Sequence, residues 1–386
     1  MVKGEKIMNI PENFLKNQSF ENAPLAFNDQ TEIRMGNGYM DPNAVTVPKG
    51  AVCLPDGTVL VSMYAPNATE VKATNLKDTV ILTKGENGIW TGELKYYEPG
   101  FKQLQFYVDG NFVINYMAPI GFGSGRPLNY VEVPDTECEF LLCKDVPHGS
   151  VTREIFYSEV TKHYECCLVY TPPFYEKSDE KYPVIYLQHG GGENENSWIF
   201  QGKTNYIMDN LIAEGKAVPA IIVMCNGMAQ VLNAEGKREV SYDAIRSIVV
   251  DEVIPFIEGK YRVKTDKFSR GVAGLSMGSL QMAQVYFENL DKFCCAGLFT
   301  GYLYPMKPVE DFDQSIFDDA DKFNSETTVF FRAMGDQETS IPLFAEEHKM
   351  LDAKGINYVE KIYKGEHEWR VWRNALHDFM QLVFEK

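Results

Sequence analysis

The sequence predicts an α/β domain built on a mostly parallel sheet with helices on both faces, preceded by a small all-β sandwich. Three observations lead there. The chain has 386 residues, more than one compact core usually fills. From Gly50 to about Pro134 it consists of short alternating apolar runs broken by turn residues, the pattern of an antiparallel sandwich. From Val151 onward, apolar strands alternate with amphipathic stretches, which implies a parallel sheet covered on both sides.

Taken in order, residues 1–45 read as an arm in which Asn, Pro and Gly are frequent and periodicity is weak. Residues 46–134 are assigned to the sandwich, with strand-like runs at 58–66, 79–83, 89–94 and 101–110 separated by PDG (55–57), GENG (85–88) and EPG (98–100). Trp90, Tyr96 and Tyr97 are candidates for exposed rings on a glycan-binding face, against the commoner role of such residues in β packing. Residues 135–386 form the α/β domain. It opens with two strand-like runs (151–158 and 164–171), and strands follow at 183–190, 219–227, 268–276, 293–301, 328–335 and 358–365. Helices are expected at 203–214, 241–259, 277–290, 341–353 and 369–384. Within 241–259, Ile245, Ile248, Val249, Val253 and Ile257 keep the i, i+3, i+4 rhythm of one buried face. There is no internal repeat and no low-complexity tract.

Composition narrows the function. Hydrophobic residues make up 45% and charged residues 24%, which excludes a disordered or fibrous chain. With 37 Lys+Arg against 54 Asp+Glu the net charge is −17, so phosphate-rich partners such as nucleic acid and anionic membranes are disfavoured and a neutral ligand is suited. No window of ~20 apolar residues is present, and no apolar stretch follows the first lysines. The expected compartment is therefore cytoplasmic, or extracellular if a signal has been removed. The eight cysteines show no CxxC spacing and read as buried reduced thiols, so neither a metal nor a cofactor is expected.

The most specific signal is Gly274-Leu275-Ser276-Met277-Gly278, placed where a strand ends and a helix begins. That context makes G-x-S-x-G a nucleophile elbow and the fold an α/β-hydrolase. The turn is too sharp for side chains on both sides of the serine, and it aims the Ser276 hydroxyl at a helix N-terminus that favours developing negative charge. A serine hydroxyl needs a base. His348, His367 and His377 follow Ser276; of these only His367 stands in a loop after the last strand, whereas His348 and His377 sit on helical patterns. The acid belongs in the loop after TVFFRAMG, where Asp336 and Glu338 are both placed to serve, and sequence mechanics split them evenly. Two amides should hold an oxyanion: that of Met277, and that of Gly191 in the loop His189-Gly190-Gly191-Gly192. This glycine run lacks the Lys-Ser/Thr of a phosphate loop, and His189 is read as a brace for it.

The elements DVPHGSV (145–151), LVYTPPFY (168–175), LQHGGGENENSW (187–198), GLSMG (274–278) and GEHEWRVWRNALHDF (365–379) resemble the family-1 carbohydrate esterases. These are the feruloyl and acetylxylan esterases, related to esterase D and enterochelin esterase. The stretch PDGTVLVSMYAPNA (55–68), with GIWTGEL and YVDG, is similar to the immunoglobulin-like early-set domain often fused in front of them. The resemblance spans about residues 50–386. It implies Ser276 as nucleophile, His367 as base in G-x-H-x-W, Met277 and Gly191 as oxyanion donors, and an acid three residues after the glycine that ends a strand. That last position is Glu338, which tilts the choice away from Asp336, although Asp is commoner there than Glu.

The expected activity is serine-dependent hydrolysis of feruloyl or acetyl esters on xylan-type saccharides through an acyl-enzyme. Trp198, Tyr302 and Trp369 follow strand ends or sit in active-site loops and are candidate pocket walls. Two alternatives stand beside this. One is another ester of the same fold, such as a siderophore trilactone or a short acyl ester. The other is a non-catalytic carbohydrate-binding protein, which the complete set of serine, acid and histidine speaks against. Oligomeric state is not legible in the sequence.

Overall fold

The computed structural model describes residues 9–15, 32–35, 45–96, 98–303 and 314–384. The chain divides into two compact units, Met1–Cys143 and Lys144–Lys386. In the first, the described strands pair antiparallel in a four-stranded sheet, a six-stranded sheet and a separate two-stranded ribbon. Side-chain alternation sorts residues inward and outward: along Thr58–Tyr64, Val59, Val61 and Met63 are buried while Leu60 is exposed. With Val71, Ala73, Leu104, Phe106 and Val131 from the six-stranded sheet they make one apolar core.

Two expectations change here. Ile10 and Phe14, within the stretch read as an arm, belong to that core, and Glu32–Met35 pairs with Val45–Pro48. Trp90 and Tyr96 are buried rather than exposed. Trp90 lies on the inward side of Ile89–Lys95, and its indole N–H donates to the Ala65 carbonyl at 2.9 Å. Tyr97 lies outside the described residues.

The second unit carries an eight-stranded sheet. Its strands are labelled β1 (Ser150–Ser158), β2 (His163–Thr171), β3 (Val184–Gln188), β4 (Ile221–Cys225), β5 (Arg270–Leu275), β6 (Cys295–Phe299), β7 (Val329–Gly335) and β8 (Val359–Tyr363). In space they run β1-β2-β4-β3-β5-β6-β7-β8. The β1–β2 and β2–β4 pairs are antiparallel, and every later pair is parallel. All residues of β3, β4, β5 and β6 are buried, as a sheet covered on both faces requires. This is the α/β-hydrolase architecture that the sequence predicts.

The helices that position the site are α1 (Thr204–Ala213), α2 (Met277–Phe287), α3 (Ile341–Lys354) and α4 (Trp369–Met380). The predicted helix 241–259 appears as a helical run, 244–260, whose middle part Ile248–Val253 has the wider π turn. Pro255 follows, a residue without an N–H for the regular ladder. A short hairpin, Gln230–Leu232 with Arg238–Val240, and a helix at Ala320–Glu326 were not expected. Three residues per strand are too few to show alternation. All eight cysteines are free thiols, with only Cys143 and Cys166 less than fully buried. Among the described residues no helix is long and apolar enough to cross a membrane.

The motif DVPHGSV has a structural use. Asp209 of α1 is almost wholly buried. It accepts hydrogen bonds from the Gly149 amide at 2.9 Å and the Tyr170 hydroxyl at 2.7 Å, while His148 Nδ1 lies 2.8 Å from its other oxygen. A side chain at Gly149 would meet the Thr171 carbonyl at 2.3 Å, so only glycine lets the start of β1 pass there. A buried carboxylate with three partners leaves those partners unpaired when it is removed. Asp209→Ala should therefore lower stability by about 3 kcal/mol, read as a lower urea midpoint at unchanged slope.

Candidate active site

Ser276 stands between β5 and α2, and its backbone is held at φ 51° and ψ −122°. Such a conformation is strained for a residue with a side chain. Its surroundings over-determine it. The Ser276 amide donates to the Phe299 carbonyl at 2.9 Å, tying the turn to the end of β6. A Cβ on Gly274 would lie 2.3 Å from the Gly278 carbonyl oxygen, and one on Gly278 would lie 2.3 Å from that of His189. Those two contacts are why the pentapeptide needs both glycines.

His367 lies in the loop between β8 and α4. Its Nε2 is 2.8 Å from Ser276 Oγ, and its Nδ1 is 2.9 Å from Glu338 Oε2. A carboxylate only accepts, so Nδ1 carries the proton and Nε2 is the acceptor for the serine hydroxyl. The imidazole is 47% exposed, whereas the Glu338 carboxylate is 4% exposed, so the far end of the chain is dry and the near end is open to ligand.

Of the two candidate acids, Glu338 is the one that touches the histidine. Asp336 turns the other way: its Oδ1 accepts from the Gly365 amide at 2.9 Å, and its own amide donates to the Tyr363 carbonyl at 2.8 Å. With the Gln337 amide on the Gly365 carbonyl at 3.0 Å, these bonds zip the loops after β7 and β8 together. Gly335 allows it, since a Cβ there would sit 2.5 Å from the Gly365 oxygen. Ser340 Oγ donates to Glu338 Oε2 at 3.3 Å and holds the carboxylate from outside.

Met277 is the first residue of α2, where a helix leaves its amides without internal acceptors. Gly191 lies beside it, a Cβ there being 3.8 Å from Met277 Cβ. His189 braces the loop as expected from its place in the sequence. It accepts from the Gly227 amide at Nε2 (2.9 Å), leaving Nδ1–H to donate to the Gly190 carbonyl at 2.8 Å. Burial holds this imidazole neutral, with its pKa lowered to about 4.

Ser276, Met277, Gly191, Glu338, His367 and Tyr302 all line one cavity of about 890 Å³. Trp198 and Trp369 do not. Trp198 is 1% exposed and Trp369 4%. They pack edge to face at 5.1 Å, and the Trp198 indole donates to the Gln188 carbonyl at 2.9 Å. They are core that supports the loops, not walls, which corrects the expectation for both.

Sequence reasoning missed several contributors. Tyr242, Leu280 and Gln284 line the cavity, and the last two stand one turn apart on α2, a spacing that could have shown them. Trp372 packs edge to face on His367 with ring centroids 5.1 Å apart, and its indole donates to Thr300 Oγ1 at 2.7 Å. Thr300 itself has φ 52°, a second strained residue at the carboxyl end of the sheet.

An eight-stranded, mostly parallel sheet with a strained serine at a central strand end and a histidine and carboxylate in the last two loops defines an α/β-hydrolase. More narrowly, a family model described as "Putative esterase" matches residues 158–381, and the chain belongs to that esterase family. It is 33% identical over 312 residues to the endo-1,4-beta-xylanase/feruloyl esterase of Xylanibacter ruminicola, covering 79% of this chain and 41% of that protein. The chain thus spans about two fifths of the length of that relative. Among solved structures it is similar to a mutant of the feruloyl esterase module of Clostridium thermocellum complexed with sinapinate. That likeness has a TM-score of 0.54 and 23% identity, over 66% of this chain and 93% of that one. The enterobactin esterase of Shigella flexneri has a TM-score of 0.55 at 12% identity, over 84% of this chain and 92% of that one. At these identities both likenesses speak to the fold.

The buried His189 makes a pH prediction. Its folded pKa of about 4 lies below the ordinary 6.5. As pH falls through 6.5 the unfolded chain takes up a proton that the folded protein refuses until about 4. Stability is therefore full above 6.5 and falls across that window, by an amount on the order of 3 kcal/mol. Unfolding free energies of the wild type and His189→Gln, followed from pH 7.5 to 4.5, should converge as pH falls. A difference that stays constant would show that His189 does not titrate in this way.

Proposed function

We propose that this protein hydrolyses carboxylic esters on acyl-decorated plant polysaccharide or its oligosaccharides, feruloyl esters of xylan in particular. The observation that carries the reading is the unbroken hydrogen-bonded chain from Ser276 through His367 to Glu338, opening into a cavity of about 890 Å³. His367 Nε2 takes the proton of Ser276 as Oγ bonds to the ester carbonyl carbon, and the carbonyl oxygen becomes an oxyanion held by the Met277 and Gly191 amides. The C–O bond to the sugar then breaks, with His367 giving its proton to the departing alcohol. Water repeats the sequence on the acyl-serine and releases the acid. Glu338 fixes the imidazole tautomer and stabilises its cation.

The size of the cavity favours an aromatic acyl group over acetyl, since its volume suits a whole drug-sized ligand. Tyr242, Tyr302 and Leu280 in its wall offer rings and an aliphatic side chain for a phenolic acid to lie against. The relative from Xylanibacter ruminicola, named a xylanase and feruloyl esterase, supports the same class. Among the described lining residues there is no Lys or Arg, which weighs against an anionic siderophore ester. We read residues 46–134 as an immunoglobulin-like early-set domain placed ahead of the esterase.

Purified protein given methyl ferulate and acetylated xylan should release ferulate faster than acetate, and Ser276→Ala should lower kcat by ~10⁴-fold or more. No Ser276-dependent acid release from either substrate would reject the reading. Glu338→Gln should lower kcat ~10²- to 10⁴-fold, whereas Asp336→Asn should stay within about fivefold of wild type. The reverse order would assign the acid to Asp336.

A further inference from the structure

The oxyanion loop is tied to the base loop through one side chain. Glu193 Oε2 accepts from the Gly190 amide at 3.0 Å, and Oε1 accepts from the Gln201 side-chain amide at 3.3 Å. The Trp369 indole N–H donates to the same carboxylate. Trp369 opens α4 two residues after His367. Glu193 therefore joins the loop that holds Gly191 to the helix that starts beside the base.

The peptide linking Gly190 to Gly191 explains what this joint controls. A trans peptide is planar, with its C=O and N–H pointing in opposite directions. Fixing the Gly190 carbonyl therefore aims the Gly191 N–H. That carbonyl accepts from His189 Nδ1 at 2.8 Å and from the Glu193 amide at 3.3 Å. The residue thus grips Gly190 from both ends, with its backbone on the carbonyl and its side chain on the amide. The loop has no slack against the nucleophile turn, for a Cβ on Gly190 would lie 2.6 Å from Leu275 Cδ1.

We propose that Glu193 is a positioning residue for ester hydrolysis, holding the Gly191 amide in line with that of Met277 by fastening the oxyanion loop to Trp369. This rests on the ester-hydrolase reading above. Every partner of the side chain is a donor, so the carboxylate, an acceptor at both oxygens, is the form that fits. Burial opposes the charge and pushes the carboxyl up to about 7, so the contacts are complete in mildly alkaline solution. Glutamine in its place turns an N–H toward another N–H and breaks one of the three contacts.

The experiment compares wild type, Glu193→Gln and Trp369→Phe at pH 8, using methyl ferulate turnover and inhibition by phenylboronic acid, which forms a tetrahedral adduct on a reactive serine. Glu193→Gln should lower kcat about 10-fold with KM within about twofold, and weaken boronate binding about 10-fold while ferulate product inhibition moves less than twofold. Trp369→Phe, which keeps an aromatic ring in the core but removes the indole donor with part of the bicycle, should lower kcat about threefold at unchanged KM, and it decides the matter if Glu193→Gln does not fold. Wild-type kcat and boronate affinity in the variants, or a loss confined to KM, overturns the role of Glu193 and leaves the esterase reading standing. A wild type that neither hydrolyses the ester nor binds the boronate overturns both.

Discussion

The site depends on a single strained residue. Ser276 sits at φ 51° because the chain must leave a parallel strand and enter a helix within one turn. A conformation of that kind costs on the order of 1–3 kcal/mol and persists only where its neighbours fix it. Here the neighbours are β6 through the Phe299 carbonyl, and two glycine positions where backbone meets backbone at distances no side chain tolerates. The register of β5 between β3 and β6 sets where the turn falls. The glycine-rich loop after β3 and the strained Thr300 after β6 consequently arrive at the same end of the sheet.

A second constraint works on His367. The loops after β7 and β8 are laced by backbone bonds around Gly335 and Gly365, and Asp336 is used up in that lacing. Glu338, two residues further on and one methylene longer, reaches the imidazole from a nearly dry position. Behind it Trp198, Trp369 and Trp372 pack edge to face at 5.1 and 5.2 Å, and the last of them edges onto His367. The half-exposed His367 imidazole is thus held by buried groups, so that its geometry is set in advance of any ligand.

Some of this was legible in the chain and some was not, for identifiable reasons. The G-x-S-x-G turn is readable because only glycine satisfies its contacts, and His367 because it follows the last strand in a loop. Every strand expected in the α/β unit is present; the central β3 to β6, wholly buried, write continuous apolar runs, whereas the edge strands β1 and β8 are largely exposed. The acid was ambiguous, as Asp336 and Glu338 share one loop and only its path tells which points inward. Trp198 and Trp369 were misplaced because an aromatic in the segment after a strand reads the same whether it faces ligand or core. Glu193, an acidic residue in a polar loop, carries no periodic signal.

By itself the sequence determined the class of fold and singled out Ser276 and His367, because these follow from local rules: period, glycine sterics and chain order. Tertiary structure alone decided which carboxylate meets His367, which rings line the cavity, and that Glu193 ties two loops together. Those depend on contacts between residues tens to hundreds of positions apart. Such contacts are fixed by how loops pack across the end of a finished sheet, and no local pattern encodes them.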